Sequence, residues 1–134
     1  MAMKIHSDVI SRDLKKCVKK HWYPGLEVEI KNVVKLLNIN HSLPGESTMH
    51  GFKGKLAGRT YHARIALSDF SIGKRKGPRL AYYLPLDRNE ECLVLYVGGH
   101  KDGIYDTAQF CDLITSRYLD SPTSYLDLEE FMST

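Results

Sequence analysis

A single α+β domain is predicted from three features of the sequence. Short strand-like runs concentrate in the second half, two stretches of helical period precede Asn38, and 134 residues suffice for one core but not for two ordinary ones. The expected arrangement is an antiparallel sheet with an N-terminal helical hairpin and a C-terminal helix. A hydrophobic share of 43% and a charged share of 26% fit a soluble globular chain.

Each element follows from local chemistry. Met3-Lys4-Ile5 reads as a short strand that ends at His6-Ser7-Asp8, where Ser7 or Asp8 can cap a helix. Ile10, Leu14, Cys17, Val18 and the His21–Trp22 pair fall at helical spacing, and the opposite face carries Arg12, Lys15, Lys16, Lys19 and Lys20. Pro24-Gly25 breaks this helix, and Leu26, Ile30, Val33, Val34 and Leu37 give the apolar stripe of a second one. So short a connection forces the two into an antiparallel pair. Asn38 to Met49 reads as a polar loop.

The second half is a sheet in outline. Tyr61 to Leu67 alternates, with His62 and Arg64 on one face and Tyr61, Ala63 and Ile65 on the other. After the insert Ser68–Gly77, the stretch from Arg79 to Tyr105 gives two strands joined through Asp87–Glu91 as a β-hairpin, the first half-buried and the second central. The second strand breaks at Gly98-Gly99 and delivers His100, Lys101 and Tyr105 within a few residues, while Arg79 opens the first. A sheet edge that hands titratable and cationic side chains to a loop is a place for a site. Phe110, Leu113, Ile114 and Arg117–Tyr118 predict a following helix, and the residues from Ser121 onward one more short helix capped by Ser124.

Charge is unevenly placed although the net is only +3. Lys53, Lys55, Arg59, Arg64, Lys74, Arg75, Lys76 and Arg79 face the single acid Asp69 in one stretch, whereas Asp120, Asp127, Glu129 and Glu130 stand beyond it without a base. A basic middle and an acidic tail predict a polyanion-binding face. Three distant cysteines, Cys17, Cys92 and Cys111, lie on apolar faces and read as buried reduced thiols. The six histidines lack ligand spacing, so neither a metal nor another cofactor is expected. No apolar run reaches membrane-crossing length and the N-terminal residues lack the apolar core of a secretory signal, so a cytoplasmic location without membrane contact is expected.

Pro78-Arg79-Leu80-Ala81-Tyr82-Tyr83 and Val97-Gly98-Gly99-His100-Lys101-Asp102-Gly103-Ile104-Tyr105 together resemble the strand Arg and the closing V-G-H-R-x-D-I-Y motif of the RelE/ParE toxins of toxin–antitoxin pairs. The order of elements from Met3 to about Leu119 is also that family's order. The resemblance thus implies a toxin domain over residues 1–119, with 120–134 as an acidic C-terminal extension. Lys101 in place of Arg, the extra glycine, the insert and the tail depart from the family pattern.

The resemblance implies an endoribonuclease that cuts messenger RNA on the ribosome by attack of the ribose 2′-hydroxyl on the adjacent phosphate. It implies catalytic roles for Arg64, Arg79, His100, Lys101 and Tyr105. Nucleic-acid contacts are expected from Lys53, Lys55, Arg59, His62, Lys74, Arg75 and Lys76. A cognate antitoxin is the implied protein partner, and the alternative is a DNA gyrase-binding toxin of the ParE kind or a non-catalytic binding module on the same fold. Structural uses compete with these roles: Tyr105 as a core anchor, and Arg79 paired with Asp102 or Asp106.

Overall fold

The computed structural model describes residues 2–67, 77–87 and 89–134. Six strands, β1 (Met3–His6), β2 (Ser47–Thr48), β3 (Thr60–Arg64), β4 (Arg79–Tyr83), β5 (Cys92–Gly98) and β6 (Tyr125–Asp127), form one sheet in the order β2-β3-β4-β5-β1-β6. Around it lie helices α1 (Lys15–Lys19), α2 (Leu26–Asn40), α3 (Ala108–Leu119) and α4 (Leu128–Met132). The pairing of β1 with β5 is parallel and the other pairings are antiparallel. The protein is α+β, as the sequence predicts.

Alternation along the strands sorts side chains onto two faces. Ala63, Leu80, Tyr82, Val94 and Val97 share one core with Leu26, Ile30, Val34 and Leu37 of α2. Ala81, Tyr83, Leu95 and Tyr96 share a second core with Tyr105 and with Phe110 and Ile114 of α3. A bulge makes this possible: Ala81 pairs with Tyr96 and Tyr82 with Val94, so Leu95 is the extra residue and joins Tyr96 on the α3 side. Because both faces are covered, β4 is buried along its whole length rather than half-buried as its alternation predicts.

The first helical segment departs from expectation in its start and in part of its register, for Ile10, Leu14, Cys17 and Trp22 meet the main core as expected whereas Val18 does not. Val9–Leu14 is wound as wide π-type turns that run into α1, and the buried positions are Val9, Asp13 and Cys17, while Val18 is 48% exposed. Neither Ser7 nor Asp8 caps it through its side chain. Instead His6 Nδ1 accepts the Asp8 N–H at 3.0 Å, which supplies the acceptor that a capping hydroxyl would have given.

α2 runs past the expected boundary to Asn40, where His41 in the left-handed region (φ 56) stops it and donates its N–H to the Leu37 carbonyl. The stretch read as a polar loop therefore holds the last turn of α2 and the edge strand β2. Of the cysteines, Cys17 and Cys92 are buried thiols, and burial pushes both up to about 12, whereas Cys111 is only partly buried. All three are free.

β1 is shorter than β5, and side chains complete the edge it leaves open. Asp13 Oδ2 accepts the Val97 N–H at 3.2 Å, and Arg117 Nη1 donates to the Leu95 carbonyl at 2.9 Å. Asp13 and Arg117 are themselves joined by two bonds, at 2.5 and 2.8 Å. Although burial works against its charge, these bonds raise the Arg117 pKa above its ordinary value.

The acidic residues beyond Asp120 are part of the packed structure. β6 pairs with β1, Asp120 holds His6 Nε2 at 2.6 Å, and Phe131 of α4 is 1% exposed in the main core. α4 begins at a capping box of Asp127 and Glu130, three residues beyond the expected cap at Ser124. Among the described residues, no helix is long and apolar enough to cross a membrane.

Candidate functional site

On the face of the sheet that α3 covers, a polar cluster lies at the end where β3 finishes and β4 begins. Arg64 and Arg79 are cross-strand partners there, and His62 sits two residues back on the same face. The loop after β5 closes over this corner with His100 and Tyr105.

Tyr105 is the centre of the cluster. It is 5% exposed and packs between Tyr96 and Phe110, with ring centroids at 5.9 and 4.9 Å. Its hydroxyl lies 2.6 Å from His62 Nδ1, the exposed His100 ring meets its edge at 4.9 Å, and the Arg79 guanidinium carbon stands 5.4 Å from its ring centroid. Tyr105 is thus both the core anchor and the point on which two histidines and an arginine converge.

Electrostatics follow from this packing. Burial, followed by the nearby Arg79, lowers the pKa of His62 from its ordinary value of 6.5, and Asp106 only partly opposes this. Burial also raises the Tyr105 pKa, against the pull of Arg79. At neutral pH a protonated Tyr105 hydroxyl can therefore donate to Nδ1 of a neutral His62, which leaves His62 Nε2 carrying the imidazole proton.

Arg79 is 6% exposed, not the free surface arginine that its sequence position implies. It does not pair with Asp102 or Asp106. Asp102 is occupied by Lys16 at 3.2 Å and by the Tyr96 hydroxyl at 3.3 Å. Among the described residues Arg79 has no ion-pair partner.

Tyr23, which the sequence reading passed over, lies beside Arg79. A Cβ added at Gly99 would meet Tyr23 Oη at 2.7 Å and Arg79 Nη1 at 3.6 Å, so the second glycine of the pair makes room for both. Tyr23 is buried at 4%, and burial raises its pKa. Lys101 itself turns away from Tyr105. Its Nζ bonds the Trp22 carbonyl at 3.4 Å and lies 5.6 Å from the Tyr23 ring centroid.

The expected nucleic-acid contacts do not gather in one place. Lys55 pairs with Glu90 at 3.4 Å, and Arg59 bonds the Leu84 and Pro85 carbonyls at 2.8 and 3.3 Å. Both precede Thr60, which faces Tyr83, while the cluster lies at the far end of β3, where Arg64 faces Arg79. Lys53 is exposed on the same approach to β3. Lys74, Arg75 and Lys76 lie outside the described residues.

Chemically, the corner offers two imidazoles of different exposure, a buried phenol and two guanidinium groups with no ion-pair partner among the described residues. Among the described residues, no group of three or more His, Cys, Asp or Glu side chains could hold a metal ion. No family model, curated protein or solved structure matches this chain.

Proposed function

We propose that the protein is an endoribonuclease of RelE-like kind and the toxin half of a toxin–antitoxin pair. The observation that carries this reading is the convergence of His62, His100 and Arg79 on Tyr105, with Arg64 across from Arg79. The α+β frame, in which β1 and two helical segments precede β3 to β5 and α3, supports this reading, and β2, β6 and α4 stand outside the expected pattern.

In the proposed reaction the ribose 2′-oxygen attacks the adjacent phosphorus, its proton leaves to a base, and the 5′-oxygen departs with a proton from an acid. The products are a 2′,3′-cyclic phosphate and a 5′-hydroxyl. His100, exposed beside Tyr105, takes the 2′ proton and returns it to the departing 5′-oxygen, while neutral His62, its Nδ1 taken by the Tyr105 hydroxyl, offers its Nε2–H as a hydrogen-bond donor to the phosphate. Arg79 and Arg64 hold the nonbridging oxygens whose charge grows in the transition state. Tyr105 fixes the tautomer and plane of His62. Lys101 contributes positive charge at the entrance rather than at the reacting phosphate.

The proposed partners are messenger RNA on the ribosome and an antitoxin that covers the cationic corner. Expression in a heterologous bacterium, with mapping of messenger RNA 5′ ends, tests the reading. New 5′-hydroxyl ends that disappear with Arg79→Ala are expected. Unaltered transcripts together with loss of gyrase supercoiling would replace this reading with the gyrase-binding one.

A further inference from the structure

We infer that α1 and the turn after it form a binding track for single-stranded RNA, which leads outward from the Arg79–Tyr105 corner over Trp22 to Lys15, Lys16, Lys19 and Lys20. The polymer is taken as RNA on the strength of the proposed function. The track itself rests on separate observations.

The first observation is charge without compensation. All four lysines are exposed, and of these only Lys16 has an acidic partner among the described residues, Asp102 at 3.2 Å. Lys15 and Lys19 are four apart, as are Lys16 and Lys20, so the pairs project from two adjacent rows of the same solvent side while Asp13 and Cys17 point inward. Four cations of one sign on so short a helix repel one another, and a polyanion relieves this.

The second observation is continuity with the corner. Tyr23 Oη backs Gly99 beside Arg79 Nη1, Lys101 Nζ lies over the Tyr23 ring and bonds the Trp22 carbonyl, and Lys16 Nζ stands 5.5 Å from the centre of the Trp22 ring. Cation and aromatic groups therefore alternate from Arg79 to α1 without a gap.

The third observation is Trp22 itself. It is half-buried, packed against the main core, with the Lys16 ammonium beside its ring and Lys101 on its backbone carbonyl. A fixed indole between cations matches an unpaired base above a phosphate backbone, because stacking accepts any base and the cations follow the phosphates. A duplex keeps its bases stacked inside and cannot use the indole. An acidic protein segment would use the lysines but leave the indole uncovered.

The test uses the full chain and a 15-nucleotide single-stranded RNA carrying 2′-O-methyl groups throughout, which cannot be cleaved by 2′-oxygen attack. Trp22 is the single tryptophan, so its emission reports on the track directly. Saturating RNA is expected to quench it. The variant Lys15→Ala/Lys19→Ala/Lys20→Ala is expected to bind roughly tenfold more weakly or worse, and to lose about 2 from the slope of log affinity against log salt, since each single-strand phosphate contact contributes about 0.7.

An unchanged slope, an unchanged Trp22 emission at saturation, or equal affinity for a duplex of the same length would overturn the track. Failure of the cleavage reading looks different. In that case the wild-type protein binds the methylated RNA with the full slope and quench but leaves messenger RNA on translating ribosomes intact. If instead the protein cleaves RNA while the triple variant keeps the wild-type slope, the track is wrong and the cleavage reading stands.

Discussion

Arg64 stands directly opposite Arg79 in the antiparallel pairing of β3 with β4, two cations on one face with no ion-pair partner among the described residues. Like charges at opposed positions cost stability by up to about 1 kcal/mol. On the proposed function, an anion bound between the two guanidinium groups would offset this cost. Arg64→Ala is therefore expected to raise thermal stability slightly in a low-phosphate buffer while slowing RNA cleavage. Added phosphate at constant ionic strength should stabilise the wild-type protein more than this variant. Arg79→Ala should slow cleavage by roughly two to three orders of magnitude, as removal of a preorganised transition-state donor does. It should also cost about 1–2 kcal/mol of stability, because its guanidinium is packed over the Tyr105 ring at 6% exposure. Melting curves and cleavage rates for the two variants separate these effects.

His62 predicts a pH dependence of stability. Its folded pKa is lowered from 6.5 by burial and by Arg79, so between these two values the unfolded chain binds more protons than the folded one. Stability should fall as pH drops below about 6.5 and level off once the folded pKa has been passed. His62→Gln keeps a polar group near Tyr105 but removes the titration. Urea midpoints between pH 5 and 8 should show a flatter profile for this variant than for wild type, and equal slopes would remove His62 from the account.

The alternation of Tyr61 to Ile65 placed His62 and Arg64 together, and the hairpin from Arg79 could be read because apolar runs bounded by Gly and Asp are local signals. What could not be read were the long-range completions. Tyr23 reaches Gly99 across 76 positions by lying against the end of β5, and nothing local to Tyr23 announces that. The basic stretch from Lys53 to Arg79 looked continuous, yet β3 carries Arg59 and Arg64 to opposite ends of the sheet. Asp13 had a usable signal. It is four residues from both Val9 and Cys17, an acid within an apolar stripe, and Arg117 interrupts the stripe of Phe110 and Ile114 in the same way. A lone acid and a lone base on two inward faces predict each other. The tail was legible as acidic and as carrying a short helix but not as part of the core, because the burial of Phe131 depends on β6 reaching β1.

Gly99 and Tyr23 give a test of the corner's geometry. An alanine at 99 would press its Cβ to 2.7 Å from the Tyr23 hydroxyl, and Tyr23 is too buried to swing aside freely. Gly99→Ala should cost about 1–3 kcal/mol, as overpacking does, and should weaken cleavage by displacing Arg79. Tyr23→Phe removes the obstructing oxygen at the cost of the polar contacts it makes. In the double variant the two costs should not add, and a double-mutant cycle should show favourable coupling of about 1 kcal/mol or more. Additive costs would mean that the second glycine serves some other purpose.

The Asp13–Arg117 pair makes the last prediction, in which two effects oppose each other. Removing one partner of a buried ion pair leaves an uncompensated charge, so Asp13→Ala should destabilise the protein by about 3–5 kcal/mol. Replacing both partners by apolar residues of similar size is often neutral or stabilising, which would make Asp13→Leu/Arg117→Met harmless. Here the pair has a second duty. Asp13 accepts the Val97 N–H and Arg117 donates to the Leu95 carbonyl, on the stretch of β5 that β1 is too short to cover. The apolar pair would leave both backbone groups buried without partners, at about 1–3 kcal/mol each. The double variant is therefore expected to remain less stable than wild type by about 2 kcal/mol or more, measured by urea denaturation. Hydrogen exchange should show the Val97 amide losing protection ahead of Val94, whose strand segment is paired with β1. A double variant as stable as wild type would show that the pair's hold on the β5 edge is dispensable.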